Sequence, residues 1–310
     1  MKIRSLRAAQ AVDDGAKQSK SGRMIHGGDH DGRAIGEGDA FDLRRPAVPG
    51  RFVFASPHSG TLYPADMGAD PDLPEASLRS AEDALVDRLI TPGVEHGATV
   101  LLGRLGRAWV DLNRDPADLD PLLIPGAGGG GSARTAAGYG VIPRLSGDGR
   151  PLYARRLTPG EAADRIARGY VPYHAALAER MRAARARHGE AVLVDWHSMP
   201  ARATAGAGGA RGPDVVLGDR HGASCDAALT RRLRRAFEAL GWRVALNQPY
   251  AGGWTTQVWG RPAEGFHAIQ IELNRALYFD EAARAPGPGW SRTEKGVARV
   301  IAELLAGDRA

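Results

Sequence analysis

Short β-prone apolar runs recur along this chain with longer stretches of helical period between them, and that alternation leaves few architectures open. The runs expected as strands are 52–55, 100–102, 108–112, 192–195, 214–217, 243–247 and 268–273. Helices are expected near 81–90, 159–188, 225–239 and 292–305. Strands alternating with helices build a mostly parallel or mixed sheet covered by helices. A chain of 310 residues can bury one large core. The expected fold is therefore α/β: a single domain whose mixed, mostly parallel sheet is flanked by helices.

Three of the runs lead into residues that carry chemistry. Pro57-His58-Ser59-Gly60 follows the first, His197-Ser198 follows Val194-Asp195-Trp196, and Glu272 sits in Gln270-Ile271-Glu272-Leu273-Asn274-Arg275. Strand ends are where α/β sheets place their sites. Two histidines offer two metal ligands. A catalytic zinc takes three protein ligands and keeps a position open for water, and a nearby glutamate can act as general base on that water. The pattern points to a zinc hydrolase that still needs a carboxylate ligand. A tight H-x-x-E element would supply one, but Thr61 stands three residues after His58. The carboxylate has to come from Ser80-Ala81-Glu82-Asp83-Ala84-Leu85-Val86-Asp87-Arg88-Leu89, where Leu85 and Leu89 share a helix face at i, i+4. Residue types alone leave Glu82, Asp83 and Asp87 open, and a solvated acidic helix face is the plain alternative.

The chain resembles the N-formylglutamate amidohydrolase family through motifs spread from Ser56 to about Tyr278 and in the family's order. They include Pro57-His58-Ser59-Gly60, the aspartate-centred segment at Asp83, Gly106-Arg107 leading to Asp111-Leu112-Asn113-Arg114, Pro172-Tyr173-His174, Trp196-His197-Ser198, Gly252-Gly253-Trp254-Thr255-Thr256 and Gln270-Ile271-Glu272-Leu273. Ala81 and Ala84 stand where many members have an aspartate and a tryptophan. The resemblance implies a zinc-exopeptidase-like (phosphorylase/hydrolase-like) fold, one Zn2+ per chain held by His58, Asp83 and His197, and Glu272 as the base. It also implies cleavage of N-formyl-L-glutamate to formate and glutamate. Another zinc amidase or exopeptidase acting on a different N-acyl amino acid is the alternative within enzymes. A non-catalytic binding domain is the alternative outside them.

Further candidates bear on an anionic substrate. Asn113-Arg114 is similar to the pair with which carboxypeptidase-like enzymes grip a carboxylate, and a guanidinium fits that group bidentately. Arg107 is assigned to substrate or transition-state binding. A strand over Trp109-Val110-Asp111-Leu112 would carry Arg114 into the site. Gly252 and Gly253 can let backbone amides approach an anion, with Thr255 and Thr256 adding hydroxyl donors. Selectivity for glutamate needs a second cation, for which Arg107, Arg202, Arg275 and other arginines are available, the sequence leaving open which is in reach. His174, His221 and His267 are expected to pack rather than ligate.

Residues 1–45 lack a periodic apolar pattern and are expected to be a disordered extension, with the catalytic domain over 46–310; the metal-like His26, Asp29, His30 and Asp31 fall in that extension. The glycine-rich stretch 127–132 is expected to be a flexible loop, and 203–210 a loop that can cover the metal. The net charge of +5 is dispersed, as in Arg231-Arg232-Leu233-Arg234-Arg235, which favours small anionic substrates over nucleic acid. Cys225 is alone, and no apolar stretch approaches ~20 residues, so no membrane span is expected and the cytoplasm is the expected location.

Overall fold

Neighbouring residues along a strand face opposite sides of the sheet, and here both sides are apolar. In β2 (Phe52–Ser56), Phe52 and Phe54 join one core while Val53 and Ala55 join the other. A strand sandwiched in this way reads as an unbroken apolar run, which is why the central strands stand out in the sequence. The computed structural model describes residues 39–128, 131–204 and 212–306.

In chain order the elements are β1 (Phe41–Arg44), β2, α1 (Glu75–Leu78), α2 (Val86–Ile90), β3 (Thr99–Gly103), α3 (Ala133–Ala136), α4 (Pro159–Arg165), α5 (Val171–His188), β4 (Ala191–Met199), β5 (Val215–Gly218), α6 (Ala227–Glu238), β6 (Val244–Leu246), α7 (Trp254–Trp259), β7 (Phe266–Asn274), the small hairpin β8 (Phe279–Asp280) and β9 (Ala285–Pro286), and α8 (Trp290–Leu305). The seven-stranded sheet has the order β1-β3-β2-β4-β7-β5-β6. β3, β2, β4 and β7 run parallel, β1 and β5 join antiparallel, and β6 pairs parallel with β5. This is the single mixed, mostly parallel sheet expected. One face packs on α2, α6 and α8 through Leu89, Phe237, Val300 and Ile301. The other packs on α5 through Tyr173, Leu177 and Met181, and on the long connection that carries Trp109, Ile124 and Ile142.

Several local expectations are corrected. Residues 108–112 are not a strand: Trp109 and Val110 both donate to the carbonyl of Gly106, and Asp111 donates to Val141, so the segment is a turn. Its apolar side chains are buried by the α5 layer without a β ladder. The helix expected over 81–90 begins only at Val86, because Leu85 is left-handed (φ 63°) and the amide of Asp83 donates to the carbonyl of His58. β1 lies inside the expected 1–45 extension, pairing with β3 from Phe41↔Gly103 to Arg44↔Val100. His26, Asp29, His30 and Asp31 lie outside the described residues, as do 205–210 of the expected lid. The helical stretch 159–188 is continuous but carries a π turn at Ile166–Tyr170, just before Pro172, which has no amide hydrogen for the ladder. No helix among the described residues is long and apolar enough to cross a membrane.

Candidate active site

Strand parity decides which residues meet. Val194 and Trp196 of β4, and Ile271 and Leu273 of β7, belong to the α2/α6/α8 core. Asp195 and His197, and Gln270 and Glu272, therefore face the α5 side. His197 and Glu272 are register partners on adjacent parallel strands, so their backbones lie roughly 4.8 Å apart and their side chains stand together.

His58 enters from the turn after β2. Gly60 makes that turn possible: a Cβ there would lie 2.4 Å from the carbonyl carbon of Arg104 and 2.5 Å from the carbonyl oxygen of Leu105. The His58 carbonyl in turn accepts the Asp83 amide at 2.9 Å, which fixes the Asp83 segment against the end of β2. Asp83 Oδ2 lies 2.9 Å from His197 Nδ1 and 3.3 Å from His58 Nδ1. Its other oxygen, Oδ1, accepts from Ser198 Oγ at 3.0 Å and from Arg275 Nη2 at 3.4 Å. One carboxylate oxygen is thus anchored by protein while the other faces the two imidazoles.

The far nitrogen of each ring meets its own carboxylate. His58 Nε2 is 2.8 Å from Asp111 Oδ1, and His197 Nε2 is 2.9 Å from Asp195 Oδ2. A carboxylate on Nε2 holds the proton there and leaves the Nδ1 lone pair free for a metal, the usual outer-shell device of histidine ligands. His58 Nδ1 is buried with no hydrogen-bond partner among the described residues, which would cost about 1–3 kcal/mol in a site built for nothing but protein contacts. The ligand atoms of His58, Asp83 and His197 all lie within 4.8 Å of one another and all three residues are buried, so the group can hold a metal ion. Burial alone would raise the Asp83 carboxyl, but the two histidines hold it well below the usual range. Burial would likewise depress His197, yet Asp195 and Asp83 push it well above its ordinary value. A metal entering this site competes with a proton for His197.

The competing carboxylates are accounted for. Glu82 points the other way, bound by Arg79 Nε at 3.0 Å, Arg284 Nη2 at 2.6 Å and the Tyr63 hydroxyl at 2.9 Å. Asp87 is in the first turn of α2 and does not line the cavity. Asp83→Asn should therefore lose metal, while Glu82→Gln should keep it and lower only thermal stability. Elemental analysis of the two variants decides between them, and the reverse result would move the ligand by one residue.

A cavity of about 260 Å³ opens over the group, lined by His58, Asp83, His197 and Glu272 and by Arg107, Arg114, Asn113, Gly252 and Gly253. Burial pushes Glu272 up to about 7; His197 opposes that rise and Asp83 adds to it. Its Oε1 accepts from Gln270 Nε2 at 2.6 Å, and Arg275 is engaged with Ser198, Asp83 and Glu281 rather than with Glu272. Arg107 is held at Asp111 through Nε at 2.9 Å. Arg114 donates to the carbonyls of Tyr139 and Asn113 at 2.9 and 2.8 Å, and Tyr170 and His174, at the head of α5, bind the carbonyls of Arg114 and Leu112.

The remaining candidates are tied together by hydrogen bonds within the protein, with Asn113, Gly252 and Gly253 still at the cavity wall. Asn113 Nδ2 lies 3.1 Å from both Asp195 Oδ2 and His197 Nε2, and its Oδ1 accepts from the Thr255 amide and hydroxyl at 2.9 and 3.1 Å. Thr255 also donates to Asp195, and Thr256 donates to the Gly253 carbonyl at 2.7 Å. Neither threonine lines the cavity. The Gly253 amide is taken by Gln270 at 2.7 Å, and a Cβ on Gly253 would lie 2.5 Å from Asn113 Nδ2. Gly253 thus leaves room for the Asn113 side chain, while Gly252 lies against Thr256. Asp195 had a sequence signal, being two residues before His197 on one strand and so on the same face. Asp111 heads one of the quoted motifs, but at 53 residues from His58 nothing in the sequence paired the two. His174, His221 and His267 do not line the cavity.

The sequence profile of N-formylglutamate amidohydrolase matches residues 50–279, a span that holds every residue of this site. The chain belongs to the N-formylglutamate amidohydrolase family. An N-formylglutamate deformylase of Pseudomonas aeruginosa is 35% identical over 272 residues, covering 86% of this chain and 95% of that protein. A second, from Pseudomonas putida, is 32% identical over 232 residues, covering 74% and 82%. The crystal structure of N-formylglutamate amidohydrolase from Ralstonia eutropha JMP134 superimposes with a TM-score of 0.82 at 34% identity, covering 87% of this chain and 99% of that one. Family membership makes the chain an amidohydrolase, and its fold is that of the family.

Proposed function

We propose that this amidohydrolase is a zinc enzyme that cleaves N-formyl-L-glutamate to formate and glutamate. The observation that carries the reading is Glu272 beside the buried His58–Asp83–His197 group, in a cavity edged by guanidinium groups. Two imidazoles and one carboxylate are a donor set suited to zinc. Zinc, when bound, supplies a Lewis acid for the formyl carbonyl and eases ionisation of water.

The chain's own groups do the rest. Glu272 takes a proton from the attacking water and returns it to the departing amine, a task suited to a carboxyl that burial has made less acidic. Arg107, anchored through Nε, keeps Nη2 for charge developing on the carbonyl oxygen. Arg114, anchored through Nε and Nη1 and with Nη2 3.6 Å from Asp111 Oδ2, turns its guanidinium to the cavity wall for the substrate's α-carboxylate. Asn113, Thr255 and Thr256 act indirectly: Asn113 and Thr255 brace Asp195, and Asn113 also braces His197. The named activity of the relatives supports formylglutamate as substrate.

The test is a panel of N-formyl, N-acetyl and N-succinyl amino acids, run alongside zinc analysis of the purified protein. N-formylglutamate should be hydrolysed fastest, by protein carrying about one zinc per chain. A preference for an acetyl or succinyl compound would move the activity to another N-acyl amino acid, and full activity without zinc would remove the metal.

A further inference from the structure

Four arginines line the cavity, and three of them are committed to the protein. Arg107 is bound to Asp111, Arg114 to two backbone carbonyls, and Arg275 to Ser198, Asp83 and Glu281. Arg134 is different. Its side chain is exposed at the cavity wall and has no hydrogen bond or ion pair among the described residues.

Its backbone, in contrast, is well held. Ser132 caps α3 by accepting from the Thr135 amide and donates its hydroxyl to Asp118 at 2.9 Å. The Arg134 carbonyl accepts from the Tyr139 amide at 2.8 Å, and the Tyr139 carbonyl accepts from Arg114 Nε at 2.9 Å. A two-step relay therefore ties the unpaired guanidinium to the one assigned to the α-carboxylate. The charge of Arg134 acts on both Arg114 and Tyr250, which line the same cavity. Pro143 and Leu145, also in the wall, offer apolar contact for methylene groups.

We propose that Arg134 reads the side-chain carboxylate of a dicarboxylate substrate, and so selects glutamate over uncharged amino acids. The assignment rests on the amide-hydrolase reading above. A cation without a counter-ion next to a cavity that already holds a carboxylate-binding arginine is complementary to a second carboxylate, and a guanidinium can grip it with two parallel hydrogen bonds.

N-formylglutamine is nearly isosteric with N-formylglutamate and lacks the second charge, so the ratio of kcat/KM for the two substrates isolates the contact. Wild type should favour the acid by about ten- to a hundredfold, the range for a hydrogen bond to a charged group. Arg134→Gln should bring the ratio towards one, mainly by raising KM for the acid, and Arg134→Lys should restore part of it. Because Arg134 is exposed, zinc content and melting temperature should match wild type in both variants. Glutarate, which has two carboxylates and no scissile amide, should compete more weakly against Arg134→Gln than against wild type. An unchanged ratio in Arg134→Gln, or an equal loss on both substrates, overturns the assignment and leaves the hydrolase reading standing. Failure of wild type to cleave either substrate would overturn both.

Discussion

Glu272→Gln should keep its zinc and lose about 10²–10⁴-fold in kcat, the range that general acid–base catalysis contributes. Glutamine preserves the outline of the side chain and can still accept from Gln270 Nε2 through Oε1. It removes only the proton acceptor. The three ligand side chains are untouched, so a large fall in turnover with full metal occupancy separates a base from a ligand. Near-normal turnover would assign the proton transfer to another group.

The same substitution has a second signature in the metal-free protein. Burial raises the Glu272 carboxyl from 4.5 to about 7, so the folded chain holds that proton more tightly than the unfolded chain does. Stability from this source is complete below pH 4.5 and is lost as pH rises through about 7. Glutamine cannot ionise and escapes the loss. Metal-free Glu272→Gln should therefore be more stable than metal-free wild type at pH 8, by at most about 3 kcal/mol, and the gap should close at pH 5. Urea titrations at the two pH values measure it. A gap independent of pH would mean that Glu272 does not ionise as its surroundings dictate.

The parts of this molecule that could be read from its sequence are those set by local pattern. Phe52–Ser56 and the run leading to His197 are apolar on both faces of the sheet, so their strands and the polar residues at their ends were visible. Where an apolar run is buried by irregular chain, pattern misleads: Trp109 and Val110 are as apolar as any strand, yet their amides turn back on Gly106. That Asp83, and not Glu82, lies against the two histidines was also closed to local pattern. In the fold it follows from the left-handed turn at Leu85, the link from Asp83 to His58, and the cations that draw Glu82 away. The hydrogen-bond partners of the glycine-threonine loop were out of reach for a related reason. Its groups are satisfied by Asn113, Asp195 and Gln270, and two of those three lie far away in sequence.

His58→Ala and His197→Ala should both lose zinc, since two remaining ligands do not hold the ion, but they should differ in what else they lose. His197 lies 2.9 Å from Asp83 on one side and 2.9 Å from Asp195 on the other, and both carboxylates are almost fully buried. Those carboxylates push His197 well above its ordinary value in the metal-free protein. Removing the ring leaves Asp195, among the described residues, with only the neutral donors Asn113 and Thr255 and with its Oδ1 buried without a partner. Breaking a buried pair in this way typically costs about 3–5 kcal/mol. His58 is backed by Asp111, and Asp111 keeps Arg107 at 2.9 Å, Arg114 at 3.6 Å and the Asn113 amide at 2.9 Å when the ring is gone. His58→Ala should thus be a metal-free protein of near-normal stability, and His197→Ala a metal-free protein that melts well below it. Elemental analysis and calorimetry on chelator-treated samples separate the two effects. Full zinc occupancy in either variant would show the ligand set to be wrong, and equal melting temperatures would show that Asp195 does not depend on His197 for its charge partner.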